Sequence, residues 1–226
     1  MKMNKTSNCL WSAAVLAFSS QLVDAAFVLN FNENYGTATV ADFQVADAAL
    51  DAGADLFNIN GEDDFNAARG AGALTSGGLT IETTGAPQND GFDTGLGLSP
   101  IVEGNLYKTG GNLGLTITGL SSVTSGQTVV LTAWGIGDSA NQDTAFTGTY
   151  GADDQSGNTT FSSSPYVQFT FTADGSTDTL TLVAAPGTGG QNRSHFSGVS
   201  LSVVPEPSSS ALLGLGGLAL ILRRRK

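Results

Sequence analysis

Short runs in which apolar and polar residues alternate recur along this chain, most clearly in its second half. In residues 113–118 and 167–172 every second residue is apolar, and the residues between them are Gly, Thr or Gln. A period of two is that of a strand with one buried face. Apolar or alternating runs predict further strands at residues 26–31, 57–60, 79–83, 129–133, 179–182 and 199–203.

Gly, Ser, Asn and Asp fill the segments between these strands. They are dense in residues 51–78 and 85–100, which predicts loops there. Only residues 42–53 place apolar side chains at loosely helical spacing, so one or two helical turns are expected in that segment. Many short Thr-rich strands with turns between them are typical of an antiparallel sandwich. The sequence therefore predicts an all-β fold, a single antiparallel β-sandwich of jelly-roll-like form.

The amino terminus has the layout of a secretory signal peptide. Lys2 and Lys5 precede an apolar region, residues 10–18, and small residues follow at 23–26. This segment is too short and wrongly flanked for a transmembrane anchor. We predict a helical signal peptide over residues 1–26, and leave cleavage after Ala25 or Ala26 open. Cys9 would leave with it, so no disulfide would brace the exported body.

The carboxyl terminus has three parts in a fixed order. A Pro-Glu-Pro triplet is followed by an uncharged apolar run, residues 211–222, and by a cluster of four cations, Arg223, Arg224, Arg225 and Lys226. The run is shorter than the roughly 20 residues of a comfortable bilayer span. Cations next to such a run stay on the cytoplasmic side. We therefore predict a short hydrophobic helix that acts as a weak stop-transfer segment, with the body outside the cytoplasm.

These carboxyl-terminal residues resemble the PEP-CTERM sorting signal of bacterial exported proteins. The resemblance implies that the secretion machinery exports the protein and that an exosortase processes it near the triplet. The sorting and processing residues would then be Pro205, Glu206, Pro207, Arg223, Arg224 and Arg225. It implies transient membrane anchoring by residues 205–226 and a final location in the cell envelope, on the surface or in the extracellular matrix. An ordinary tail anchor is the alternative.

Removal of both ends leaves a strongly acidic body. Residues 27–204 contain three cations and eighteen acids, so this predicted domain carries a net charge of −15. Nucleic acid is excluded as a partner, because its phosphates need cationic side chains. Such a charge suits a surface protein or one that collects divalent cations.

No persuasive catalytic set emerges from the sequence. Gly137-Asp138-Ser139 resembles the nucleophile block of GDSL-type hydrolases, but Asn192 stands where that family's closing block has Asp before the histidine, here His195. A turn is the simpler interpretation of residues 137–139. A glycosidase-type carboxylate pair remains open, since the sequence does not show separations. We therefore expect no catalytic residues and no enzyme activity.

Several acidic loops could supply oxygen ligands to calcium, which takes six to eight of them. No loop has the EF-hand spacing, and solvated surface loops are the simpler interpretation. Calcium is therefore the one candidate cofactor that the sequence indicates. Its candidate ligands are Asp63, Asp64, Asp90, Asp93, Asp138, Asp143, Asp153 and Asp154.

Four aromatic residues, Trp134, Tyr150, Phe161 and Tyr166, could form a platform that stacks on sugar rings. Aromatic side chains also fill sandwich cores, and Trp134 and Tyr150 are retained as candidate ligand-binding residues with that alternative open. The sequence thus favours a non-catalytic surface or matrix protein with extracellular polysaccharide as a candidate partner. The alternative is a secreted polysaccharide-active hydrolase on the same scaffold.

Overall fold

The computed structural model describes residues 26–31, 38–90, 100–102, 104–137, 139, 141–161 and 163–204, without the side chains of Asn89 and Asp90. The predicted signal peptide, apart from Ala26, and the predicted sorting signal lie outside the described residues. No helix in the described part of the chain is long and apolar enough to cross a membrane.

The described chain is built mainly from strands. The strands are β1 (Phe27–Phe31), β2 (Asp55–Ile59), β3 (Leu74–Ser76), β4 (Leu79–Thr84), β5 (Gln88–Asp90), β6 (Asn105–Thr109), β7 (Leu113–Thr118), β8 (Thr128–Trp134), β9 (Thr144–Tyr150), β10 (Asp153–Asn158), β11 (Tyr166–Thr172), β12 (Leu180–Pro186), β13 (Arg193–Phe196) and β14 (Gly198–Val204). Two short helices are α1 (Val40–Gln44) and α2 (Glu62–Ala67). Single 3-10 turns lie at Gly70–Gly72, Pro100–Val102 and Leu120–Ser122.

Three sheets organise these strands. The first has the order β11-β8-β14-β1-β2, the second β10-β9-β12-β7-β4-β3, and the third β13-β6-β5. Pairing is antiparallel throughout except between β1 and β2, which run parallel. The first two sheets pack face to face, because alternate residues of both enter one core, as Leu131 and Leu201 do from the first and Leu115 and Leu182 from the second. The predicted all-β sandwich is confirmed.

A second, smaller apolar cluster lies on the outer face of the first sheet. Val28 points away from the main core because its neighbours Phe27 and Leu29 point into it. Val28 packs with residues of α1 and of the Pro100–Val102 turn, and the cluster comprises Ala26, Val28, Ala38, Phe43, Leu50, Ile101, Val102, Trp134 and Ile136. The segment around α1 therefore covers part of a sheet face that would otherwise meet solvent.

The register of the first sheet fixes where the chain enters and leaves the body of residues 27–204. Phe27 at the start of β1 is opposite Leu201 near the end of β14, so the two strands meet where the body begins and ends. At the same end, Val204 is opposite Thr128. At the far end of these strands, Gly198 is opposite Trp134, and Trp134 is opposite Tyr166.

All eight predicted strands occur, as β1, β2, β4, β7, β8, β11, β12 and β14, and several further elements were not predicted. The helix α1, Val40–Gln44, overlaps the predicted helical segment of residues 42–53 only at residues 42–44, and it begins two residues earlier than predicted. The prediction of loops over residues 51–78 is wrong at α2, and that over 85–100 is wrong at β5. Strands β3, β6, β9, β10 and β13 were also missed. β3, β6, β10 and β13 have three to six residues each. β9 has seven residues, but every second one is Thr, Ala or Gly, so its sequence has few large apolar residues to mark it as a strand.

Candidate functional site

A pocket of about 220 Å³ opens on the outer face of the first sheet, at the end where β8 finishes and β11 starts. It is lined by Asp42, Val45, Ala46, Pro100, Trp134, Pro165 and Tyr166. The strand register brings Trp134 and Tyr166 side by side, and the α1 segment supplies the opposite wall. The lining is therefore mainly apolar and aromatic, with one carboxylate.

The aromatic side chains of the pocket differ in exposure. Trp134 is 3% exposed, and the Phe43 ring meets it edge-on with centroids 4.9 Å apart at 79°. Tyr166 is 37% exposed and its ring lies 5.7 Å from that of Trp134. Trp134 thus forms a supported floor, and Tyr166 is the aromatic residue that an incoming ligand can reach. The sequence predicts Tyr166 only as one of four possible platform residues. Its position beside Trp134 follows from the register between β8 and β11.

The carboxylate of the pocket is held in place by the start of α1. Oδ2 of Asp42 accepts hydrogen bonds from the Thr39 backbone N–H at 2.7 Å and from the Thr39 hydroxyl at 2.8 Å. This is a capping box, in which the third residue of the helix reaches back to the residue before it. The same carboxylate therefore orders the wall of the pocket and gives it a negative charge.

A buried carboxylate fixes that wall to the sheet. Asp47 follows α1 and accepts hydrogen bonds from the hydroxyls of Ser200 at 3.0 Å and Ser202 at 3.1 Å, both on β14. Burial raises the pKa of Asp47, and the hydrogen bonds from Ser200 and Ser202 oppose that rise. Beside it, Gln168 Nε2 donates to the Ala46 carbonyl at 3.1 Å. We refer to these contacts of Asp47 and Gln168 as the α1 latch.

Tyr150, the other aromatic candidate, belongs to the main core. Its side chain is 5% exposed, its hydroxyl donates to the Thr177 carbonyl, and its ring lies 6.0 Å from that of Phe171. Burial raises the pKa of Tyr150. Tyr150 and Trp134 therefore do not form one platform, because Tyr150 ends β9 in the second sheet, away from the pocket.

The candidate calcium ligands are spread over the molecule. Asp63 and Asp64 are exposed on α2, and Asp153 and Asp154 are exposed on β10. Asp143 is buried, and its carboxylate accepts from the Phe161 N–H. Asp90 pairs with Asn105 across β5 and β6, while Asp93 and Asp138 lie outside the described residues. Among the described residues, no three His, Cys, Asp or Glu side chains form a group that could hold a metal ion.

Calcium binding therefore stays a prediction, and a simple measurement decides it. A melting temperature of the exported protein that calcium raises and EDTA lowers would support a structural ion. Unchanged melting in both would count against it.

His195 is fully buried on β13. Its ring lies 6.1 Å from that of Tyr107 at 31°, and neither ring nitrogen has a hydrogen-bond partner among the described residues. Burial, and secondarily the charge of Arg193, lowers the pKa of His195 to about 4, so the ring is neutral at pH 7.

The predicted turn after Trp134 is present, since the Ser139 carbonyl accepts a hydrogen bond from the Gln142 N–H and Ile136 forms a β-bridge with Asp143.

Comparison with known proteins gives a clear result for the carboxyl terminus. Residues 203–226 match the family model of the PEP-CTERM protein-sorting motif. The chain thus carries a PEP-CTERM motif on a β-sandwich body, which implies an exported protein that an exosortase sorts. No curated protein matches the sequence.

Solved structures resemble the body only distantly. The plant receptor-like kinase FER has 13% identity and a TM-score of 0.40, over 81% of this chain and 43% of that one. CBM32 of AlyQ, solved with 4,5-unsaturated mannuronic acid, has 15% identity and a TM-score of 0.32, over 54% of this chain and 92% of that one. A ruminal GH26 endo-beta-1,4-mannanase has 11% identity and a TM-score of 0.30, over 46% of this chain and 20% of that one. The chain thus spans a fifth of the mannanase, and at these TM-scores no neighbour's function extends to it.

Proposed function

We propose that residues 27–204 act outside the cell as a non-catalytic surface or matrix protein that binds a neutral polysaccharide in the pocket of Trp134 and Tyr166. The observation that supports this is the exposed Tyr166 ring beside a supported Trp134, next to the Asp42 carboxylate. An aromatic face packs against the C–H groups of a pyranose, and a carboxylate accepts hydrogen bonds from its hydroxyls. Such pockets combine an apolar lining with a few fixed polar groups.

Charge favours a neutral glycan over an acidic one. The predicted mature body carries a net charge of −15, and Asp42 brings a negative charge into the pocket itself. A uronate or sulfated chain would lose binding free energy to repulsion from both. Neutral hydroxyl groups would meet no such penalty.

The pocket favours binding over hydrolysis. A glycosidase uses two carboxyl groups that flank the scissile bond. The described lining of the pocket contains one carboxylate, Asp42, and its Oδ2 already accepts two hydrogen bonds from Thr39. Turnover of a polysaccharide, abolished by one carboxylate substitution, would replace this proposal with the hydrolase alternative.

Affinity electrophoresis of the exported protein tests the proposal. Native gels would contain dextran, glucomannan or hydroxyethyl cellulose as neutral polymers, and alginate as the acidic one. We expect a neutral polymer to retard the wild type and Tyr166→Ala to lose about two- to tenfold in affinity, since aromatic stacking contributes about 0.5–1.5 kcal/mol.

Thr172→Ala is the matched control, because Thr172 is exposed on the same strand and the same face at the end remote from the pocket. Equal retardation of all three proteins in every gel would overturn the proposal. Retardation by alginate alone would also overturn it.

A further inference from the structure

The chain enters and leaves the sandwich body at the same end of the first sheet. β1 and β14 are adjacent antiparallel strands, with Phe27 opposite Leu201, so the entry of β1 and the exit of β14 are neighbours in the first sheet. The predicted signal peptide ends at Ala26, directly before β1, and the PEP-CTERM motif extends beyond Val204. Neither membrane-directed segment has to pass around the body. We refer to this end as the tethered end.

The pocket lies at the opposite end of the same strands. Along β14, Val204 is at the tethered end and Gly198 is opposite Trp134 of the pocket. Seven residues of strand rise about 20 Å at roughly 3.3 Å per residue. Along β11, Thr172 is at the tethered end and Tyr166 is at the pocket. The two aromatic residues therefore stand about 20 Å beyond the exit of the chain.

The connection to the apolar run is short. Six residues, 205–210, separate Val204 from the run that begins at Ala211. Fully extended, six residues span at most about 20 Å. While the tail is in the membrane, this length keeps the tethered end near the bilayer, and a second connection at Ala26 would restrain it further.

We propose that the unprocessed protein is held to the membrane by the β1/β14 end, so that the pocket of Trp134 and Tyr166 faces away from the bilayer and is open before processing. The orientation rests on the strand register and on the short connection to the apolar run, and it does not depend on the proposed function. Its consequence, that polysaccharide binds before the exosortase acts, rests on the proposed function.

Energy transfer to labelled lipid tests the orientation. The full chain with Cys9→Ser has no other cysteine, so a single introduced cysteine accepts one fluorophore. Ser125→Cys marks the tethered end, beside the start of β8, and Ser163→Cys marks the pocket end, before β11; both positions are exposed. In phosphatidylcholine vesicles that contain acceptor lipid, we expect clearly stronger transfer from position 125 than from position 163.

Two further positions guard against local effects. Ala152→Cys, in the turn between β9 and β10, lies at the tethered end of the second sheet and should resemble Ser125→Cys. Asn158→Cys, exposed at the other end of β10, should resemble Ser163→Cys, whose hydroxyl contact with Thr160 is lost. Equal transfer at all four positions, or stronger transfer at 158 and 163, would overturn the proposed orientation.

Binding to the vesicles separates this inference from the proposed function. Fluorescent dextran and glucomannan are mixed with vesicle-bound full chain and with the exported soluble form. Binding to both supports open display before processing, and binding to the soluble form alone overturns it while the pocket remains a polysaccharide site. Binding to neither contradicts the proposed function, and the energy transfer still decides the orientation.

Discussion

The side-chain amide of Gln155 pairs with both backbone groups of Thr170. Its Nε2 donates to the Thr170 carbonyl at 2.7 Å, and its Oε1 accepts from the Thr170 N–H at 3.2 Å. Gln155 lies on β10 and Thr170 on β11, which are edge strands of different sheets. Open strand edges are templates for association with other chains. One side chain thus satisfies backbone groups of one edge and ties the two sheets together.

Replacing Gln155 should open this edge. We expect Gln155→Ala to lower the free energy of unfolding by about 1–2 kcal/mol, because the two hydrogen bonds to Thr170 are lost at a half-exposed position, together with an exposed one from Nε2 to Asp153. Gln155→Glu should cost at least as much, since a carboxylate has no donor for the Thr170 carbonyl. Urea unfolding measures both, with Ser156→Ala on the same exposed strand as the control. A Gln155→Ala protein as stable as this control would show that the edge is held otherwise.

Acid should destabilise the protein through His195. Burial lowers the pKa of this ring to about 4 from the ordinary 6.5, so the unfolded chain takes up the proton first as pH falls. The stability contributed by His195 is present above pH 6.5 and is lost between pH 6.5 and about 4, a loss of about 3 kcal/mol.

The variant His195→Leu isolates that dependence, because leucine fills a similar volume and does not titrate. Denaturant unfolding of both proteins at pH 7.5, 5.5 and 4.5 gives the difference in their free energies of unfolding. We expect wild type to lose stability relative to the variant as pH falls. A difference that stays constant would contradict the burial of a neutral ring.

Two exposed aspartates at the tethered end, Asp174 and Asp178, should also make the protein less stable as pH falls, but at lower pH values than His195 does. Hydrogen bonds from Thr177, and then Ser176, hold the pKa of Asp174 well below 3.8, and those from Ser121 and the Gly119 N–H lower the pKa of Asp178. Their contribution is present above pH 3.8 and is lost as pH falls through the lowered values. Melting temperatures between pH 5 and pH 2.5 should therefore fall less steeply for Asp174→Asn or Asp178→Asn than for wild type. Parallel curves would contradict these turns as the source.

The sequence predicts what depends on one strand's own pattern. Residues 113–118 alternate, and β7 spans those residues with its apolar side chains in the main core. β10 reads Asp-Asp-Gln-Ser-Gly-Asn, so no pattern marks it, and it exists because β9 pairs with it and Gln155 reaches β11. The first turn of α2 consists of Glu62, Asp63 and Asp64, a run that is also typical of an acidic loop, so the sequence does not distinguish the helix from a loop.

The pocket depends on contacts that no local pattern contains. Trp134 and Tyr166 are 32 residues apart, and only the β8–β11 register makes them neighbours. The wall that faces them comes from α1, more than a hundred residues before Tyr166. The sequence therefore predicts the aromatic candidates. It does not show that Tyr150 lies in the core away from the pocket, or that Asp42 lines the pocket.

The α1 latch should control both stability and ligand affinity. Asp47→Ala would leave the hydroxyls of Ser200 and Ser202 buried without their acceptor, which we expect to cost about 2–3 kcal/mol of unfolding free energy. Because Asp42, Val45 and Ala46 line the pocket on the same segment, a loosened segment should also weaken polysaccharide binding. Affinity electrophoresis and urea unfolding of one protein sample measure the two effects together.

The pH dependence of the latch has the opposite sign to that of His195. Burial raises the folded-state pKa of Asp47, so the folded protein binds the proton more readily than the unfolded chain does. Its contribution is fully present below pH 3.8 and is lost as pH rises through the raised pKa. Wild type should therefore lose stability relative to Asp47→Asn as pH rises from 4 to 7.

The latch variants should also differ in polysaccharide affinity. Asp47→Asn keeps an acceptor for one serine, so it should retain more affinity than Asp47→Ala. A Gln168→Ala variant, which removes the contact with Ala46 without a titrating group, should weaken binding with no such pH dependence. Equal affinities of wild type, Asp47→Ala and Gln168→Ala would show that the latch does not shape the pocket.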